Sequence, residues 1–387
     1  MTNQRASILI VTGEASADRY AARVVERLRE RTGSCPVRFV GTGGDFLEKA
    51  GMELVAHVRD LASIGPHEAI SQMRKYVTTY RALVREAVER TPAVALLLDF
   101  PEFNLRLAAR LKGAGIPVVY YIGPQIWAWR RYRIRAVRAF VDRMLVILPF
   151  EESFYRQHGV SAEFVGHPLL EDFHPRQDRR AFLCGLGLDP ERTTVALMPG
   201  SRRKEVDHIL PSLVGAAAEV RRDCDAQFVL SVAPTIPAEY IRKLVSATGT
   251  APGLLPHLRV AEADSHDILA SSDFAMVKSG TSTLEAALAG TPHLVTYRIS
   301  PISWLAGKIL IRSRFKGLAN LIAGERIVPE LLQGEATSLR LAATTLEYLR
   351  EPEKMKNMKA RLLGIRTRLG ERKASVAVAE TLCGFLR

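Results

Sequence analysis

The chain of 387 residues has few cysteines. Cys35, Cys184, Cys224 and Cys383 lie far apart, with no CxxC or mixed Cys/His spacing. That argues against a structural zinc site or a disulfide framework, and the reading is a metal-free protein of a reducing cytosol. No run of 18 or more apolar residues occurs, so no segment is expected to span a bilayer. The opening SILIVT is too short for a signal peptide and reads as a first strand. A P-loop is missing, since GxxxxGK[ST] does not occur, and GTGGDF at 41–46 lacks the spacing of a dinucleotide fingerprint. Acidic charge is also short, with 54 Lys+Arg against 41 Asp+Glu and a net charge of +13. Such a surplus favours polyanions, anionic membranes or phosphorylated substrates. Most of it is arginine, whose fork binds two phosphate oxygens at once.

What is present is a rhythm of apolar runs and helix-length stretches, the pattern of parallel α/β architecture. The first half predicts strands at Ile8–Thr12, Arg38–Gly41, Ala93–Asp99, Val118–Ile122, Arg143–Ile147 and Glu163–Val165. The second predicts them at Thr194–Met198, Gln227–Val232, Leu258–Ala261, Phe274–Val277 and His293–Tyr297. Between the halves, GHPLLEDFHPRQDRR at 166–180 breaks the rhythm and reads as a linker. The expected fold is two doubly wound, Rossmann-like parallel-sheet domains, 1–170 and 171–345, facing a cleft. A helical C-terminal tail covers 346–387.

Ligands of open parallel sheets bind beyond the carboxyl ends of the strands, and the unusual residues follow strands. In PGSRRKE, Gly200 permits a tight turn, Ser201 is a candidate cap, and Arg202 can add a charged fork to a phosphate at a helix start. In VKSGTSTLE, Ser279, Gly280, Thr281 and Thr283 offer more donors than a cap uses, and Glu285 is placed to accept from a ribose diol. The plain alternative for Glu285 is a capping-box acid. Two such turns on one sheet edge favour a nucleoside diphosphate. In LLLDFPEFN, Asp99 ends an apolar strand and is a candidate general base, since partial desolvation raises a carboxyl's pKa toward neutrality. Its alternative is an N-cap, and Asn104 lies one turn into the following helix. Glu14, near Ser16 and Asp18, is the second acid candidate. IWAWRRYRIRAVRAF at 126–140 and ISWLAGKILIRSRFKG at 302–317 mix apolar and basic residues, which suits an anionic lipid surface or an acyl chain. Nucleic acid is disfavoured, since no recognised module appears.

GEASAD, GTGG, DFPEFN, YIGPQIWAWR, FVGHPL, MPGSRRKE, SGTSTLEAALAGTP and GLANLIAGERIVPELLQ occur in an order and spacing that resembles the lipid-A-disaccharide synthase family over roughly residues 8–335. Ala17 and Gly123 depart from the family's more usual Gly and Ser, and IGPHEA is a loose version of its Gly-x-x-Glu element around Glu68. The resemblance implies a glycosyltransferase of the B-type fold that needs no cofactor, with an N-terminal acceptor domain and a C-terminal UDP-sugar domain. It implies transfer of 2,3-diacylglucosamine from its UDP donor to 2,3-diacylglucosamine 1-phosphate, releasing UDP. By the same resemblance Asp99 is the base, and Glu14, read from its place after the first strand, is its rival. Gly200, Ser201, Arg202, Ser279, Gly280, Thr281, Thr283, Glu285 and Asn320 are donor-side, and Ser16, Asn104 and Glu68 acceptor-side. The expected setting is cytoplasmic, peripheral to the inner face of the cytoplasmic membrane, with a homodimer left open. The rival readings are a UDP-sugar 2-epimerase, another UDP-sugar transferase with a lipid acceptor, and a non-enzymatic binding protein.

Overall fold

Val94–Leu98, the run VALLL, is buried at every position. A strand with helices on both faces has no side for polar residues, so it reads as a continuous apolar run. The structure, a computed structural model, describes residues 6–33, 37–61, 69–249, 255–299 and 313–386. It divides into two compact units, Met1–Glu171 with Glu371–Arg387, and Asp172–Gly370.

The first unit holds β1 (Ser7–Val11), β2 (Arg38–Gly43), β3 (Glu53–His57), β4 (Val94–Leu98), β5 (Val118–Tyr121), β6 (Arg143–Val146) and β7 (Ala162–Phe164). They form one parallel sheet in the order β3-β2-β1-β4-β5-β6-β7. The second unit holds β8 (Thr193–Met198), β9 (Ala226–Ser231), β10 (Leu258–Ala261), β11 (Phe274–Lys278), β12 (His293–Tyr297) and β13 (Glu330–Leu332), in the order β10-β9-β8-β11-β12-β13. Each sheet winds outward in both directions from its first strand.

Successive side chains of a strand point to opposite faces, and both faces are covered. In β1, Ile8 and Ile10 enter one core while Leu9 and Val11 enter the other. In β8, Val195 and Leu197 face one side and Ala196 and Met198 the opposite side. Two strands escaped the sequence reading, β3 and β13. Both are edge strands, one half-buried and the other three residues long, so neither carries a continuous apolar run.

Beyond residue 337 the chain is helical, at Ser338–Arg350, Pro352–Leu369 and Ala374–Cys383. It is not a body of its own. Leu341, Ala342 and Leu346 complete a core of the second unit, packing with the helix Arg203–Asp223. The last helix returns to the first unit, where Ala374, Ala377, Val378 and Leu382 join Ile8, Ile10 and Leu28. Leu382 is fully buried, so Leu382→Ala should destabilise the first unit by about 2–5 kcal/mol. Hydrogen exchange should then quicken in β1 and stay unchanged in β8; equal protection of β1 in both proteins would contradict this packing.

Candidate functional site

In each sheet the strand order reverses between two neighbours, β1 and β4 in the first and β8 and β11 in the second. Helices leave those two strands for opposite faces, and the crevice beyond their carboxyl ends is where open α/β sheets bind ligands. The four motif turns fall on these strands. Glu14 and Ser16 follow β1, Asp99 follows β4, Gly200 to Arg202 follow β8, and Ser279 to Thr283 follow β11.

After β4 the backbone enters the left-handed region at two consecutive non-glycine residues, Asp99 (φ 47°) and Phe100 (φ 49°). For a bulky residue this costs about 1–3 kcal/mol and persists only where surroundings enforce it. They do. The Asp99 carbonyl accepts from Asn104 Nδ2 at 2.8 Å and from the Tyr120 hydroxyl at 2.5 Å. The Phe100 ring stacks on Phe103 at 4.9 Å. Gly13 makes room for it, since a Cβ there would lie 2.4 Å from Phe100 Cγ. The turns after β1 and β4 are therefore packed against each other, with Asp99 half-buried between strand and helix.

Asn104, expected on the acceptor side, lies inside the turn. It is fully buried, and its amide also donates to the Leu98 carbonyl at 3.1 Å. Glu14 occupies the N-cap position of the helix Ala15–Thr32 without a side-chain cap bond, and both Glu14 and Ser16 are exposed. Asp18, one turn on, is buried instead. Its carboxylate accepts from the amides of Gly44 (2.6 Å), Phe46 (3.0 Å) and Leu47 (3.2 Å), so GEASAD and GTGGDF form one clamp. Glu68 lies outside the described residues.

The segment after β5 is tied down by groups the sequence did not single out. Trp127 Nε1 donates to Glu151 Oε1 at 2.9 Å, while Glu151 Oε2 accepts from the Leu148 amide at 3.0 Å. Arg130 and Arg133 both pair with Glu102 and lie over the Trp129 ring at 4.4 and 5.2 Å. Much of the expected lipid-facing stripe at 126–140 is thus folded into the unit, with Arg133 buried. Residues 302–312 of the second stripe lie outside the described residues.

In the second unit Gly200 (φ 107°) and Gly280 (φ 144°) hold conformations that suit glycine. The helix after β8 begins at Arg203, and Arg202, not Ser201, is its N-cap, with no side-chain cap bond. Ser201 and Arg202 are exposed. After β11 the helix Thr281–Ala289 starts behind Gly280, whose carbonyl accepts from the Thr283 amide at 3.1 Å, leaving the amides at the helix start as the usual open donors of a helix N-terminus. Two hydroxyls here serve the fold. Ser279 Oγ donates to the Lys316 carbonyl at 2.6 Å. Thr283, fully buried, donates to the Gly280 carbonyl at 2.7 Å and accepts from the Leu318 amide at 2.9 Å. Thr281 remains exposed at the turn.

Glu285 is the fifth residue of its helix, not in the first turn, so the capping-box alternative falls to Thr283's position instead. Its side chain is 14% exposed and lies 4.0 Å from His266 Nε2. His266, buried and packed on Phe173 at 4.5 Å, was missed by the sequence reading. Its signal was there: it follows β10, on the same carboxyl edge. Asn320, expected on the donor side, is engaged within the fold. It is fully buried, donating to Val328 O and Glu330 Oε1 at 2.9 Å each and accepting from the Ile327 and Val328 amides at 2.7 and 2.9 Å. Its amide holds the loop into β13 and has no capacity left for a donor. Asp45, Glu48 and His57 gather ligand atoms within 4.8 Å of one another, the only such group among the described residues, yet Asp45 is already paired with Arg59 at 2.9 Å.

Two doubly wound parallel-sheet units with glycine turns at their switch points are the architecture of the GT-B type fold. Solved structures share that fold at low identity. A UDP-GlcNAc 2-epimerase from Neisseria meningitidis, bound to UDP-GlcNAc, matches with a TM-score of 0.67 at 13% identity, covering 98% of this chain and 100% of its own. The glycotransferase of kitacinnamycin matches at 0.64 and 16%, covering 98% and 99%. The family model for lipid-A-disaccharide synthetase matches residues 8–380. The lipid-A-disaccharide synthase of Anaeromyxobacter sp. (strain K) is 44% identical over 382 residues, 98% of this chain and 97% of its own. That of Myxococcus xanthus (strain DK1622) is 41% identical over 380 residues, with 98% and 97% covered. The chain belongs to the lipid-A-disaccharide synthetase family and acts as a glycosyltransferase in lipid A biosynthesis.

Burial pushes the Glu151 carboxyl up to about 7, against the Trp127 and Leu148 hydrogen bonds that favour the anion. From the ordinary value of 4.5 up to about 7 the folded form holds the extra proton. Stability should therefore fall as pH rises through that window, by roughly 3 kcal/mol in all. Urea unfolding at pH 5 and pH 7.5 should show this loss in the parent and a smaller one in Glu151→Gln. The same loss in both proteins would assign it elsewhere.

Proposed function

We propose that the chain transfers a 2,3-diacylglucosamine unit from its UDP donor to the 6-hydroxyl of 2,3-diacylglucosamine 1-phosphate, giving a β-1′,6-linked disaccharide and UDP. The observation that carries this reading is family membership over nearly the whole chain, with the four motif turns on the strands where each sheet reverses. The chemistry is an inverting displacement. Asp99 takes the acceptor's hydroxyl proton as the oxygen bonds to the anomeric carbon and the bond to the diphosphate breaks. The strained turn is held at the Asp99 carbonyl by Asn104 and Tyr120, which fixes the backbone from which that side chain extends. Glu14 is the alternate base.

The second unit takes the UDP. The helix starts behind Gly200 and Gly280 supply amides to the diphosphate, and Arg202 adds charge as it departs. Ser201, Ser279 and Thr281 line those turns, and Glu285 accepts from the ribose. Incubation of purified protein with defined acylated donor and acceptor should give a product of the disaccharide mass, and Asp99→Asn should slow turnover by about 10²–10⁴-fold with UDP affinity unchanged. Turnover equal to the parent's would remove Asp99 from this role, and consumption of donor alone would replace the reaction itself.

Both substrates would carry acyl chains, and we place the protein peripherally on the inner face of the cytoplasmic membrane. Among the described residues no helix is long and apolar enough to cross it. The first unit offers Met73 and Val77, 63% and 40% exposed and one turn apart on the helix Ala69–Arg90, beside the exposed Arg74 and Lys75. Met73→Glu with Val77→Glu should lower flotation with anionic vesicles; unchanged flotation would count against this face.

A further inference from the structure

Lys278 ends β11 at the point where the second sheet reverses, and its ammonium is not in solvent. The side chain is 14% exposed, and Nζ lies 2.9 Å from Glu205 Oε1, itself on a side chain 12% exposed. Glu205 belongs to the helix that follows the β8 turn, so the pair joins the two strands on either side of the switch point. The same Glu205 oxygen lies 3.4 Å from Arg202 Nη1. One carboxylate oxygen thus draws an ammonium and a guanidinium together, which would otherwise repel each other.

The pair also sits against both glycine turns. A Cβ on Gly280 would lie 3.6 Å from Lys278 Nζ, and one on Gly200 would lie 3.3 Å from Lys278 Cδ and 3.0 Å from Glu205 Oε2. Glu205 Oε2 is buried and, among the described residues, has no hydrogen-bond partner. Lys278 Nζ lies 5.7 Å from the centre of the Tyr297 ring at the end of β12. Among the described residues, Glu205 Oε1 is thus shared by two cations between two helix starts.

We propose that Lys278 is a diphosphate-binding residue, and that Glu205 is a positioning residue that holds its ammonium between the Gly200 and Gly280 turns. The inference rests on the reading of this crevice as the site of a nucleoside diphosphate. A purely structural ion pair is the rival account, and it makes a different prediction. Breaking a buried pair from one side strands the other charge, whereas replacing both partners restores packing. A structural pair is therefore repaired in every respect by the double replacement, and a ligand-binding lysine is not.

The experiment measures UDP affinity by calorimetry and melting temperature on the purified chain, in the parent, Lys278→Met, and Lys278→Met with Glu205→Gln. Lys278→Met should weaken UDP binding by about ten- to hundredfold, the range expected for a lost hydrogen bond to a charged group. The double variant should recover the parental melting temperature while its UDP affinity stays low. Parental UDP affinity in either variant overturns the proposal. Should the Met variants not fold, Lys278→Gln with Glu205→Gln, whose amides can bond to each other, is read in the same way. A parent chain that does not bind UDP at all would instead overturn the functional reading, and leave Lys278 and Glu205 as a structural pair.

Discussion

A parallel sheet wound outward from its first strand has one place where neighbouring strands send their connections to opposite faces. Nothing from the sheet's own helices covers the carboxyl ends there, so the turns must satisfy themselves or a ligand. Both units of this chain are built around that constraint. In the first it gathers Glu14 and Asp99, and in the second the two glycine turns. The remaining chemistry is arranged about those four turns.

The two units meet the constraint differently. In the first, a costly backbone conformation is held by hydrogen bonds from Asn104 and Tyr120 and by a phenylalanine stack over Gly13. The individual gains are modest, about 1 kcal/mol for each hydrogen bond and about 0.5–1.5 kcal/mol for the aromatic pair. Together they are of the same size as the strain, so the turn is held but has little surplus. In the second unit the device is charge: uncapped helix starts, Arg202 and Lys278, with Glu205 holding the two cations together. A fixed backbone beneath Asp99 suits a positioned base. A positive crevice suits a departing diphosphate.

Much of this was legible in the sequence because its signals are local. Strands buried on both faces are continuous apolar runs, so the central strands read clearly while β3 and β13 at the edges did not. The turns read clearly because glycine and hydroxyl residues follow those runs directly. What was not legible depends on distant partners. Asn104, Thr283 and Asn320 look like ligand contacts in a motif, and only the folded chain shows that each is buried and bonded to backbone groups, Asn320 to the Glu330 carboxylate as well. Asp18 was named only as a neighbour of Glu14, and its part appears only once the amides of Gly44, Phe46 and Leu47 are seen on it. His266 and Glu151 owe their settings to residues far along the chain. The C-terminal tail reads as helix by composition, yet composition carries no hint that its last helix completes the first unit's core.

The central claim is that the diphosphate of a UDP-sugar is held where the second sheet reverses. Determining the structure of the chain crystallised with UDP tests it most directly. The account predicts phosphate oxygens within about 3 Å of amides at the helix starts behind Gly200 and Gly280. A diphosphate bound elsewhere, with those amides unoccupied, would contradict it.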